Sequence, residues 1–254
     1  MSDLKAVISI VFKESLRNKV ILSLIIIAVL LISISTLLGP ITLGETDRVV
    51  KDIGLSVISF FSLIIILFSG TRLLYQEING KTIYIMIAKP ITRARFIWGK
   101  FLGLVSIIYT VGIITGIALL IVILTAGIGF NWNIVLAVLF ILLQFTLLSA
   151  IAIFFSTFTS PVLSGLFTVM IYIVGYLIKD LAFFIEKSSS VIVQWIVRAI
   201  MIIVPNFYYT DIKINAVNSI DVSINYIIFV ILYIIIYTLF FVYTSTVIFE
   251  NKEF

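Results

Sequence analysis

Residues 101–178 of this 254-residue chain contain no Asp, Glu, Lys, Arg or His. A tract of 78 uncharged residues, rich in Ile, Leu, Val and Phe, is too long and too apolar to be covered by water-facing side chains. The rest of the chain agrees with it. Hydrophobic residues make up 62% and charged residues 11%, with a mean hydropathy of +1.30, whereas soluble domains carry about 25% charged residues. The expected fold is therefore all-α, a polytopic membrane protein in which 1–254 forms one domain. Zero Cys and zero His remove thiolate chemistry and the usual transition-metal ligands, so no metal or cofactor site is expected.

A hydrocarbon core of about 30 Å needs roughly 20 apolar residues in a helix. Charge-free runs at 20–38 and 53–71 close at Gly39-Pro40 and Arg72. Inside the long tract the breaks must come from turn chemistry. The stretch from Gly127 to Asn133 supplies one, and the polar run from Ser156 to Pro161 the other, because proline disfavours helix at the residue before it. The resulting spans are 101–126, 134–156 and 162–178, followed by a last span at 223–249. The first run exceeds a signal-peptide core and has no small-residue cleavage pattern, so it reads as a retained span.

Positive charge orients these six spans. With the N-terminus cytoplasmic, 11 Lys/Arg fall inside and 6 fall outside. Both termini are then cytoplasmic, and 179–222 is an extracytoplasmic loop. Within it, residues 191–204 are apolar apart from Gln194 and Arg198 and end at Pro205-Asn206. That length fits a re-entrant or interfacial helix before the sixth span better than a crossing.

The six cores hold no Asp, Glu, Lys, Arg or His, which counts against proton coupling. Their polar groups include Thr115, Gln144 and Ser149, which either line a substrate path or hydrogen-bond neighbouring helices. Gly112 and Gly116 form a GxxxG pattern suited to close helix packing. No HExxH or GxSxG motif is present, so no catalytic residues are expected. Gly80-Lys81-Thr82 imitates the tail of a phosphate-binding loop, but Tyr75 stands where that motif needs glycine and an apolar span, not a strand, precedes it. Energy from ATP would have to arrive through another chain.

Two cytoplasmic segments carry pattern. In 1–19, Leu4, Val7, Ile8, Val11 and Phe12 repeat at helical spacing opposite Lys5, Ser9, Lys13 and Arg17. This is an amphipathic interface helix that meets membrane lipid. The second segment, 72–100, is the only sizeable cytoplasmic loop. Glu77, Gly80, Pro90 and Thr92 punctuate it into short helices that could pass force from a soluble partner to spans two and three.

That loop resembles type-2 ABC-transporter permeases, in the branch that reads Glu-Ile-x-x-x-Thr-Ile-Tyr, Lys-Pro-hydrophobic-Ser/Thr-Arg and Gly-Lys. Here the motif stands as Glu77-Ile78, Thr82-Ile83-Tyr84, Lys89-Pro90-Ile91-Thr92-Arg93 and Gly99-Lys100. Phe155 to Pro161 and Val204-Pro205-Asn206-Phe207 are similar to the family as well. The resemblance implies a permease dimer, homo- or heteromeric, served by cytosolic ATPase subunits that bind ATP and Mg. It also implies a coupling helix in the loop, with Glu77, Gly80, Thr82, Tyr84, Pro90, Arg93 and Lys100 at the coupling face. A prokaryotic cytoplasmic membrane is the expected location, and nucleic acid is not an expected partner. Related branches suggest an alternative, a permease supporting maturation of an extracytoplasmic metalloenzyme. From other classes come an ion-gradient-driven transporter or passive channel, and a membrane scaffold.

Overall fold

The computed structural model describes residues 2–37, 45–72, 92–187 and 191–251. The regular structure of those residues is helical throughout. Helix α1 (Ser2–Arg17) is followed after one residue by α2 (Lys19–Ile34). Asn18 makes that junction: its side-chain oxygen accepts the Val20 N–H at 2.9 Å and caps α2. Next come α3 (Thr46–Ile65), continued by a π-helical turn at Ile66–Gly70, and α4 (Arg93–Thr125). Helices α5 (Trp132–Ser156), α6 (Pro161–Lys187), α7 (Val191–Ile203), α8 (Lys213–Val217) and α9 (Ile224–Glu250) complete the order.

The breaks within the uncharged tract have clear local causes. After α4, Gly127 adopts φ +70°, a left-handed geometry that glycine reaches without steric cost. Asn131 then accepts the Asn133 N–H at 2.9 Å and starts α5. At the other break, Pro161 opens α6, where a missing N–H costs nothing.

Helix α5 sits at the centre, packed by α4, α6, α9 and the π-helical turn. Phe140, Phe145, Leu147 and Leu148 on it are buried. Glycines set how closely its neighbours approach. A Cβ added at Gly112 of α4 would overlap Leu142 of α5, and one at Gly116 would lie 3.1 Å from Val138, so the GxxxG face is filled by α5 side chains. Gly54 of α3 is covered in the same way by Leu119 of α4. The periphery is apolar and open: Ile26 on α2, Leu166 on α6 and Ile236 on α9 are all at least half exposed. Such faces belong against lipid or another chain.

Among the described residues, seven helical stretches are long and apolar enough to cross a membrane: the six expected regions and Val191–Val217. The seventh is not one helix. Helix α7 has 13 residues and reaches only about 20 Å, short of a ~30 Å core. The chain then turns at Pro205, forms a 3-10 turn at Phe207–Thr210 and continues into α8. The turn is pinned on α6, where the Pro205 carbonyl oxygen lies 2.5 Å from the Cβ position of Gly175. Tyr233 of α9 accepts the Asn206 N–H at 2.6 Å. Beyond it, α8 packs on α3 and α5, and Asn133 donates to the Ile220 carbonyl at 3.1 Å. This end of the bundle is thus closed by chain 205–221.

The helices run past the apolar spans expected from sequence. Helix α4 begins eight residues before 101, and α6 continues through Lys179 and Asp180 to Lys187. Hydrogen bonding within a helix does not end where hydrophobicity does.

Candidate functional site

At the opposite end of the bundle several chain segments meet, and α1 organises them. Val7, Val11 and Ser15, spaced four apart, form its buried stripe. They lie in the groove of α4 made by glycines four apart: a Cβ at Gly99 would sit 2.6 Å from Val7 Cγ1, and one at Gly103 would sit 2.7 Å from Val11 Cβ. Lys5, Lys13 and Arg17 remain exposed. The amphipathic helix is therefore docked by one stripe on α4, with its charges outward.

Arg93 opens α4 just after its N-cap, Thr92, whose hydroxyl accepts the Arg95 N–H at 3.4 Å. The Arg93 guanidinium reaches the far end of the sequence. Its Nη1 donates to the Glu250 carbonyl at 2.8 Å and to the Phe249 carbonyl at 3.3 Å. These carbonyls belong to the last turn of α9, where helix oxygens have no partner within the helix and the dipole favours a cation. Phe96, one turn on, packs against Phe249 with centroids 5.8 Å apart and the rings tilted by 32°. The start of α4 and the end of α9 are thereby tied together.

Lys100 is buried, and its ammonium stands 5.4 Å from the Phe96 ring centroid. Nearby, Ser156 donates to the Thr71 carbonyl at 3.1 Å, joining the end of α3 to the end of α5. Ser164 of α6 donates to the Ala152 carbonyl at 3.0 Å. Of the residues expected at the coupling face, Arg93 and Lys100 thus sit on this docked end. Glu77, Gly80, Thr82, Tyr84 and Pro90 lie outside the described residues.

The three residues weighed for a substrate path are buried inside the bundle and are not hydrogen-bonded to one another. Thr115 Oγ1 donates to its own helix at Val111 O, 2.8 Å, and Ser149 Oγ donates to Thr146 O at 2.7 Å. Gln144 alone of the three crosses between helices, donating from Nε2 to the Tyr176 hydroxyl at 2.6 Å. Tyr176 packs on Tyr172 and Phe207, with centroids 5.1 and 6.3 Å away, so Gln144 is linked through α6 to the turn after α7.

Sequence reasoning missed this aromatic cluster and the Arg93 bond. Tyr172 and Tyr176, spaced four apart on one span, were a readable signal for the cluster. Nothing local marks a contact between positions 93 and 250. Among the described residues no group of His, Cys, Asp and Glu could hold a metal ion.

A family model described as ABC-2 family transporter protein matches residues 6–254, nearly the whole chain. No curated protein matches it. With its bundle of apolar helices long enough to cross a membrane, the chain is a member of the ABC-2 family of transporter membrane proteins, an integral membrane permease.

Proposed function

We propose that the chain is the membrane-spanning subunit of an ATP-driven transporter, paired with a second permease subunit and served by a cytosolic ABC ATPase. ATP and Mg bind that partner, and this chain catalyses nothing itself. The observation that carries the reading is the family match across 6–254. The loop sequence from Glu77 to Lys100 supports it.

In this reading six helices cross a cell membrane with both termini cytoplasmic. Helix α7 is re-entrant, because 13 residues fall short of the bilayer and the helix ends before Pro205, where the chain turns. The docked end of the bundle faces the ATPase. Force on the loop 72–100 enters α4 at its first turn, and the Arg93 bond shares it with the end of α9. Midway along α5, the Gln144–Tyr176 bond lies where α5, α6 and the turn after α7 meet, the place for a cargo path to open when these elements separate.

The test is to isolate the native complex from membranes in mild detergent and identify its subunits. A stoichiometric ATP-binding subunit is expected. Recovery of the chain with no ATPase under conditions that preserve other such complexes would remove the proposal.

A further inference from the structure

Three neighbouring recesses share lining residues along α1, the start of α2, the π-helical turn and Arg72 after it, and α6. The first lies along the outer face of α1 beside Lys13, Glu14, Arg17 and Asn18. The second, about 190 Å³, shares Glu14 and Asn18 with the first and adds Ser15, Ser69 and Arg72. The third is an apolar groove of about 450 Å³ between the π-helical turn with the residues just after it and α6, sharing Phe68 and Arg72 with the second. Such a volume is within the ~300–1,000 Å³ typical of small-molecule sites.

The track is graded in chemistry. It passes from cations through mixed donors to a wall of Leu67, Phe68, Gly165, Leu166, Val169 and Met170. From Pro161 to Met170 the helix advances roughly 14 Å, nearly half of a ~30 Å hydrocarbon core. We propose that this track binds one anionic phospholipid, its phosphodiester at Arg72 and an acyl chain along the groove between the π-helical turn and α6.

Charge selects the occupant. Among the described residues, Lys13, Arg17 and Arg72 outnumber Glu14, the one acid lining the track. Arg72 makes no ion pair among the described residues; its guanidinium rests 5.7 Å from the Phe68 ring centroid, at the mouth of the apolar groove. Ser15 is 7% exposed, yet its hydroxyl makes no hydrogen bond among the described residues and lines the polar recess. Asn18 spends its oxygen on capping α2, which leaves its amide hydrogens as donors. Glu14 can accept from the hydroxyls of a glycerol headgroup. Placement of the headgroup in the cytoplasmic leaflet rests on the orientation proposed above; the site does not.

The experiment uses the full chain, purified with whatever subunits accompany it, and native mass spectrometry during titration with phosphatidylglycerol or phosphatidylcholine of the same acyl chains. One phosphatidylglycerol should be retained in preference to phosphatidylcholine. Arg72→Gln should weaken its retention about tenfold, the scale of one charge-assisted hydrogen bond, with Arg72→Lys in between. A Cβ at Gly165 lies 3.8 Å from Thr71 Cγ2, so Gly165→Leu should fill the groove and weaken both lipids. Equal retention of the two lipids by the native chain, or unchanged retention by Arg72→Gln, overturns the proposal. So does a Gly165→Leu variant that loses its dimeric state with lipid retention intact, which would make the groove a contact between chains. Retention is read without nucleotide or ATPase, so a negative result leaves the permease reading standing.

Discussion

Replacing Arg93 by Ala removes the donor that closes the C-terminus of α9. Two carbonyls lose it, Glu250 O at 2.8 Å and Phe249 O at 3.3 Å. A hydrogen bond from a charged donor contributes about 1.5–3 kcal/mol, and a cation at a helix C-terminus about 0.3–1 kcal/mol at an exposed site. Arg93 is half-buried and only the shorter contact has good length, so about 2 kcal/mol is the expected loss, concentrated in the last turn of α9. That corresponds to roughly thirtyfold faster opening-limited amide exchange there. Hydrogen exchange with mass spectrometry on the detergent-solubilised protein reads it directly. Peptides covering 245–251 should lose protection in Arg93→Ala, and those from the centre of α5 should not. Arg93→Lys should recover part of the protection, since an ammonium keeps the charge without the fork. Glu250→Ala should have little effect, because the acceptor is the backbone oxygen. Unchanged protection in Arg93→Ala, or an equal loss in Glu250→Ala, would refute the cap.

Gly103→Leu should undock α1, since even a Cβ would lie 2.7 Å from Val11 Cβ; overpacking of about 1–3 kcal/mol is expected as a lower melting temperature and faster proteolysis within 1–19. Gln144→Leu and Tyr176→Phe, made singly and together, should show a coupling of about 0.6–1.7 kcal/mol in unfolding, and additive effects would mean that the 2.6 Å bond stabilises nothing. Single cysteines at Asn79, Asp47, Ser189 and Asn251 of this cysteine-free chain should react with an impermeant thiol reagent in intact cells only at positions 47 and 189. Labelling of position 251 from outside would mean that 191–217 crosses the membrane.

The helical bundle was readable because its causes are local. Uncharged runs, Gly127, Asn131 and Pro161 each act on their own stretch of backbone, and the structure breaks the helices at those places. The amphipathic pattern of α1 was readable too, but not the surface it meets. Val7 and Val11 choose α4 because Gly99 and Gly103 leave room, a fit between residues 92 positions apart. The same limit hid Arg93. Its charge reads as topology-setting or partner-facing, while its bond to Glu250 O depends on where α9 happens to end. Thr115, Gln144 and Ser149 were equivalent as sequence, uncharged polar groups in apolar spans. Only packing separates the two that bond within their own helix from the one that reaches Tyr176.

The central claim is that this chain moves cargo with energy supplied by a separate ATPase through the loop 72–100. ATP hydrolysis should be measured on three reconstituted samples: the chain alone, the native complex, and the complex carrying Glu77→Ala. The chain alone should hydrolyse nothing, and the complex should hydrolyse ATP and drive transport. Glu77→Ala should insert normally yet lose the ATPase or uncouple hydrolysis from transport. Hydrolysis by the chain alone that survives Lys81→Ala, or full transport by the Glu77→Ala complex, would contradict the account.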